Sequence, residues 1–344
     1  MGRVAAFVAD TALRAGYSVR LVASEVHEPY GGRCEVSHIT RPPAGPQLRQ
    51  DMVWYGRVRA GLRRSPADIV HVHAPALLRV ADVMTSHHLS AAAHRHGVRV
   101  GVDGLGGAAR WAQRAAFIAL DELFYRRRPP ATRMTFVSEF LREQFTRRYG
   151  VAHDGTIVTP PAPPWMPVGE EERSTARRRY EIAGRGLVVG YLGGADQRKG
   201  VDAVRELVGV DGVELAIGGP GSAGLSWPGV TNVGYVDVDT FLPACDVVVA
   251  PALFDAAPTA VTQAIARGIP VVVRPASGWA HPIARAGAGA VWDGASPLWA
   301  AVREAAQASP AACQAVTETF SAARQGDRLL EVYERVLADR RRPR

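Results

Sequence analysis

The chain has 344 residues, 47% apolar and 22% charged, with a formal charge of +8 at neutral pH. That length holds more than one ordinary core, and the balance is that of a folded globular protein. No apolar run reaches the roughly 20 residues of a membrane-spanning helix, and Cys34, Cys245 and Cys313 are too few and too scattered for a disulfide framework or a zinc site.

The charge is uneven. Residues 1–150 hold 22 arginines against 12 acids, or +10, and the remainder is −2. A basic half calls for an anionic neighbour, either a membrane surface or a phosphorylated ligand; the alternative is arginine-rich codon usage plus a solvated surface. Abundant Ala, Gly, Arg and Pro point to a GC-rich bacterium. Nucleic acid is not expected as a partner, because no recognition motif is present and aromatics do not interleave with the arginines. Of 41 basic residues only Lys199 is a lysine, so its survival needs a reason.

In chain order, apolar spacing of three and four predicts a helix over Val4–Ala15, followed by the strand "YSVRLVAS". A helix follows over Val53–Arg64, then the strands "ADIVHVH" and "VRVGVDG". The next helix, Ala108–Arg128, contains "WAQRAAFIALDELFYRRR". Its aromatics beside three arginines fit either a dock on an anionic membrane or a core helix with a solvated basic end. "RMTFVS" and "GTIVTP" are the next strands. Five prolines then interrupt Thr159–Glu172, which reads as an interdomain linker.

The second half opens with "GLVVGYLGGADQRKGVDAVREL", a strand, a Gly-rich turn and a helix. Such a turn lets backbone approach a ligand, and the helix start favours an anion. Lys199 sits at that mouth as a compact cation suited to phosphate. "VELAIGG" is a strand, and the following "IGGPGSAGLSWPG" lacks the prompt helix of a dinucleotide fingerprint, so a dehydrogenase is rejected. "DVVVAPALFDAAPTAVTQAIARGIPVVV" is a strand, a loop with Asp255, and a helix over Thr259–Arg267. Pro258 is placed at its first helical position and Gln263 one to two turns in. Free N–H groups near Thr259 and Ala260 could hold a phosphate. Taken alone, Asp255 reads as a cap and Gln263 as an exposed helix position. "AGAVW" is a last strand, and the tail from Pro310 to Arg344 is helical. Strands spaced by helices imply an α/β fold with parallel sheets.

These motifs together resemble the family 4 glycosyltransferases over nearly the whole chain. The resemblance rests on Gly193-Gly194 followed by Lys199-Gly200, on the acidic loop and helix at Asp255 and Gln263, and on "VTNVGYVDVDTFLPACDVVVAP". "DIVHVHAP", "FVSEFLREQFTRRYG" and "RLLEVYERVL" also fit. It implies the GT-B fold: two Rossmann-like domains facing across a cleft. The expected division is 1–160 as acceptor domain, 161–172 as linker, 173–310 as nucleotide-sugar domain and 311–344 as helices crossing back to the first domain. It implies a retaining enzyme with a nucleotide-sugar donor as substrate, no cofactor and no metal, and an acceptor that is a glycan, glycolipid or secondary metabolite; the few scattered cysteines point to a reducing cytoplasm. Membrane-peripheral placement through the basic half fits the same picture. By resemblance Lys199 neutralises the diphosphate, Asp255 meets the donor sugar, Gln263 meets the ribose, and Pro258, Thr259 and Ala260 frame the distal phosphate.

Four departures stand out. Gly194 replaces the family's phosphate-binding arginine, with Arg198 as a substitute from another backbone position. Asp255 and Gln263 replace two glutamates; the first is one methylene short and the second uncharged. Asp103 stands where many members carry a histidine near the acceptor, with His71 and His73 close in pattern, and strand-end structure is the plainer reading for all three. The fold's first strand is missing before Val4, so a start roughly 10–25 residues upstream is expected. These departures keep open a degenerate, non-catalytic partner subunit, and the shared fold keeps open a nucleotide-sugar epimerase.

Overall fold

A computed structural model of the protein describes residues 2–25, 34–42, 47–64, 66–98 and 107–341. In the first half, helix α1 (Gly2–Arg14) leads to strands β1 (Arg20–Ala23) and β2 (Glu35–His38). Helix α2 (Gln47–Arg64), β3 (His71–Val72), a 3-10 turn (Pro75–Val80), β4 (Val83–Ser86), α3 (Ser90–Arg95) and α4 (Gly107–Arg126) follow. β5 (Arg133–Phe136), α5 (Glu139–Tyr149) and β6 (Asp154–Ile157) complete it. Strands β3 to β6 form a parallel sheet in sequence order, and β1 pairs with β2 separately.

The predicted strands are found, with two qualifications. "ADIVHVH" contributes only two residues to its sheet, and "VRVGVDG" falls almost wholly outside the described residues. β2 and β4 were not anticipated. "EVSH" is short and half polar, and "VMTS" is wholly buried without alternation, so neither carries a period-2 signal. Ser138 caps α5 by accepting the Leu141 N–H at 3.3 Å. Ser138→Ala is expected to cost about 1 kcal/mol, a fall of about 2–4 °C in melting temperature by calorimetry.

The linker ends earlier than expected. Glu170, Glu171 and Glu172 open helix α6 (Glu170–Arg179), where three carboxylates meet the positive end of the helix dipole. The second half then runs β7 (Leu187–Tyr191), α7 (Val201–Val204), β8 (Val213–Gly218), β9 (Thr231–Gly234), α8 (Val238–Phe241) and β10 (Val247–Ala250). α9 (Thr259–Ala266), β11 (Val271–Val273), α10 (Ala280–Ala286), β12 (Gly289–Val291), α11 (Leu298–Ala305), α12 (Pro310–Thr319) and α13 (Ala322–Arg341) complete the chain's described elements. All six strands are parallel, in the order β12-β11-β10-β7-β8-β9.

Side chains of that sheet alternate between two cores. Val188, Val248, Val271 and Val273 point into one, and Val189, Tyr191, Val249 and Val272 into the other. A sheet covered on both faces reads as continuous valine runs, which is why these strands were legible. The order has a consequence for binding. β7 to β9 step outward on one side, then the chain returns to lay β10 beside β7 on the other. The crevice beyond the carboxyl ends of β7 and β10 is therefore the switch point where α/β sheets hold ligands.

Helix α13 packs against the first half. Tyr333 lies 2.8 Å from His71 Nδ1, Arg335 reaches Asp154 at 3.2 Å, and Arg340 reaches Asp82 at 2.7 Å. Arg133, almost fully buried, donates to Asp339 at 2.5 Å.

Candidate functional site

The turn after β7 and the loop after β10 meet at the switch point. Leu253 N–H donates to the Arg198 carbonyl at 3.0 Å, which ties the two segments together. Gly200 makes this approach possible. Its φ is +84°, and a Cβ there would lie 2.2 Å from the Pro251 carbonyl oxygen. Lys199 Nζ donates to Asp255 Oδ2 at 2.5 Å. The two residues singled out from separate motifs are thus direct partners, 56 positions apart.

Asp255 is held firmly. Its N–H donates to the Ala276 carbonyl at 3.2 Å, its carbonyl accepts from Gly278 N–H at 2.8 Å, and its Oδ1 accepts the Ala257 N–H at 3.2 Å. Asp255 and Ser277 form an isolated parallel bridge. The segment Ala276–Gly278 had no motif to reveal it; its part is purely backbone. Lys199 is half exposed, so the cation is open to the crevice and Asp255 is its resident anion.

Gly193 and Gly194 lie in the turn itself. A methyl on Gly193 would lie 2.0 Å from the Tyr191 phenol oxygen, which is buried without a partner among the described residues. Gly194 has φ +59°, and a Cβ would lie 1.8 Å from the Pro220 carbonyl oxygen. The glycine is therefore a steric requirement of this turn. Arg198 is engaged next to it. The Asp196 carboxylate accepts from Arg198 Nε at 3.1 Å, from Nη2 at 2.7 Å and from its backbone N–H at 2.9 Å. Those bonds hold the Asp196 carboxyl below its ordinary value. The proposed substitute for the missing arginine is thus already neutralised locally. Asp196 was not foreseen, although an aspartate two residues before a turn's basic pair is a cap signal.

Pro258 is the N-cap of α9, with φ −65° and ψ 115°, and Thr259 is the first helical residue. This corrects the expected register by one position. The fixed ring angle suits a cap in extended conformation as well as a first turn. No side chain caps this end, so the N–H groups of Thr259 and Ala260 remain among the first-turn donors that lack helical acceptors. Gln263 is partly buried, and its carboxamide makes no hydrogen bond among the described residues. Lys199, Asp255, the α9 start and Gln263 all belong to two adjacent strand–loop–helix units.

Phe254 packs away from this crevice into the first half of the chain. Its ring lies 5.5 Å from that of Phe140, 5.4 Å from His88 and 5.9 Å from His96. It belongs to the core of the first half despite its place in the second.

Asp103 lies outside the described residues. His71 and His73 stack at 4.8 Å, with His71 bonded to Tyr333 and to Thr85 at 2.7 Å. His73 Nδ1 meets His87 Nε2 at 2.8 Å. Burial lowers His71 well below the usual range, His73 to about 4 and His87 to about 3, with His73 adding to the fall at His87. These rings are neutral in the folded state and protonate on unfolding. The stability they contribute is complete above about pH 6.5 and declines as pH falls toward 4 and 3. Going from about pH 7.5 to about pH 5.5 is expected to remove about 2 kcal/mol through the His73–His87 pair. Denaturant titrations at the two pH values measure it, and equal midpoints would refute neutral burial.

A family model described as Glycosyltransferase Family 4 matches residues 1–162, and one described as Glycosyl transferases group 1 matches residues 186–308. No curated protein matches the chain. Among solved structures, WaaG, a glycosyltransferase involved in lipopolysaccharide biosynthesis, is 18% identical with a TM-score of 0.67, over 98% of this chain and 95% of that one. Sucrose-phosphate synthase from Thermosynechococcus elongatus is 16% identical with a TM-score of 0.73, over 96% and 92%. Anabaena HepE in complex with UDP-glucose is 14% identical with a TM-score of 0.64, over 97% and 96%. At such identities these structures establish a shared two-domain architecture.

Proposed function

For a chain that belongs to the family 4 glycosyltransferases and folds as a GT-B enzyme, we propose that it moves a sugar from a nucleotide-sugar donor with retention of anomeric configuration. The observation that carries the donor reading is the Lys199–Asp255 pair at the switch point, beside the uncapped start of α9. An ammonium and a row of free N–H groups are the donors a diphosphate needs. In this reading Lys199 exchanges Asp255 for the diphosphate, and Asp255 turns to the donor sugar. Gln263 offers its free carboxamide to the ribose. Gly193 and Gly194 bring backbone close to the phosphates, and Thr259 and Ala260 hold the distal phosphate. Bond cleavage leaves negative charge on that phosphate, which takes the acceptor's proton as the new glycosidic bond forms. HepE's complex with UDP-glucose supports a uridine donor as the first to test.

Protein groups meet the leaving charge in this reading, so activity is expected to survive EDTA unchanged. The buried thiols of Cys245 and Cys313 support a reducing, cytoplasmic setting. The acceptor is a glycan, glycolipid or secondary metabolite, bound by the first domain across the cleft.

A thermal-shift panel of UDP, GDP, ADP, TDP and their sugars tests the donor site. Ligand at about 100 times its dissociation constant adds about 2.7 kcal/mol. Stabilisation by one nucleotide, lost in Lys199→Ala, is the expected result; no stabilisation by any would refute it. A second reading, a non-catalytic partner, is favoured by one observation: Arg198 is neutralised by Asp196 while Gly194 leaves no room for an arginine. Turnover or donor hydrolysis decides against that reading, and NMR of the product anomer tests retention.

A further inference from the structure

Helices α5 and α10 bring the two halves of the chain into contact. α5 follows β5 in the first half, and α10 follows β11 in the second. Their approach is close at Gly278, just before α10. A Cβ there would lie 2.7 Å from the Oγ of Ser138, the N-cap of α5. Beyond that contact, Glu139 and Glu143 of α5 face His281 of α10. His281 Nδ1 lies 3.8 Å from Glu139 Oε2 and 3.6 Å from Glu143 Oε1. Both separations are too long for a hydrogen bond. One ligand atom from each of the three lies within 4.8 Å of the others, and no other such group of His, Cys, Asp or Glu exists among the described residues.

The spacing suits a metal ion better than it suits an ion pair. Ligand atoms held about 2.0–2.2 Å from a tetrahedral zinc ion stand about 3.3–3.5 Å apart. The two separations from His281 exceed that by less than about half an ångström, which side-chain rotation closes. One imidazole and two carboxylates form a donor set that zinc takes, with water in the fourth position. The carboxylates are also four residues apart on one helix, so their charges repel, and a dication between them removes the repulsion. Three arginines stand around the group. Arg142 lies 3.6 Å from Glu139 Oε1 and Arg147 lies 3.9 Å from Glu143 Oε2, the oxygens not nearest His281. Only Arg285 competes for a ligand atom, at 3.0 Å from Glu139 Oε2, and its side chain is 64% exposed and free to swing away. We propose that Glu139, Glu143 and His281 bind a zinc ion that joins the two halves of the chain. The ion is a clasp and not a reactant: none of the three residues belongs to the Lys199 turn or to α9, and the inference does not depend on the donor site.

The test is calorimetric titration of the full chain with zinc chloride, after stripping with EDTA and dialysis. His281→Ala and Glu143→Gln are each expected to weaken binding about 10-fold or more, since even changes behind the ligands of a zinc site cost about 10–100-fold. Arg285→Gln, which frees Glu139 Oε2, is expected to tighten binding severalfold. His94→Ala, at an exposed histidine outside the cluster, is expected to change nothing. Cobalt in place of zinc is expected to show the strong visible absorption of four-coordinate geometry, lost in His281→Ala. Melting curves confirm that each variant is folded; should His281→Ala not fold, Glu143→Gln carries the comparison. Zinc is also expected to slow amide exchange on α5 and α10 together. Protection of α5 alone would mean that the glutamates hold the ion without the second half, and would overturn the clasp. Binding left intact by both His281→Ala and Glu143→Gln would place the ion elsewhere and overturn the site. No binding by the stripped chain would leave α5 and α10 joined by the Arg285–Glu139 ion pair only, and overturn the proposal outright.

Discussion

Lys199→Ala is expected to lower kcat/KM by about 10²–10³-fold and to abolish stabilisation by the nucleotide, while leaving the unliganded protein folded. The size follows from removing a fixed cation from where charge develops in the transition state. The selectivity follows from exposure. The Lys199–Asp255 pair is 2.5 Å long, but the lysine side chain is 48% exposed, so its loss costs at most about 1 kcal/mol of stability. Lys199→Arg sharpens the result. A guanidinium keeps the charge but spreads it over a planar fork, so it is expected to recover binding only in part. Steady-state kinetics with the donor from the thermal-shift panel, together with melting curves of the free proteins, make the measurement. An alanine variant with unaltered kcat/KM would remove Lys199 from the chemistry.

Gly194→Arg, which restores the family's usual residue, is expected to destabilise the second domain rather than strengthen donor binding. The positive φ alone costs a residue with a Cβ about 1–2 kcal/mol. Contact of that Cβ with the Pro220 carbonyl oxygen, at 1.8 Å, forces the turn after β7 away from the loop after β8. Together these are expected to cost about 3–5 kcal/mol, or about 6–15 °C in the melting temperature of that domain. Gly194→Ala is expected to show most of the same loss, because the obstacle is at Cβ and not at the guanidinium. Calorimetry of both variants separates the cases. An arginine variant that melts with the wild type and binds donor more tightly would mean that the turn can be rebuilt around it.

What could be read from the sequence was whatever left a periodic or chemical trace. The valine runs at β7, β10 and β11 are buried on both faces, and the lone lysine stands out against forty arginines. Asp255 and Lys199 were each identifiable from their loops. Their pairing was not, because it depends on β10 returning beside β7, a long-range choice that no local window contains. The Asp196–Arg198 clasp was missed for the opposite reason: it is local, but its meaning depends on knowing that position 194 cannot hold an arginine. Tyr191 and Phe254 read as ordinary core residues. Only the fold shows one lying beneath the glycine turn and the other belonging to the opposite half of the chain.

That placement of Phe254 makes the loop carrying Asp255 a mechanical link. The aromatic socket of His88, His96 and Phe140 grips the loop one residue before the carboxylate that Lys199 holds. Spreading the two halves apart would have to pull this ring into water, at a cost of about 2–3 kcal/mol. The loop that carries Asp255 is therefore anchored in both halves of the chain, so displacing one half against the other strains the backbone next to that carboxylate.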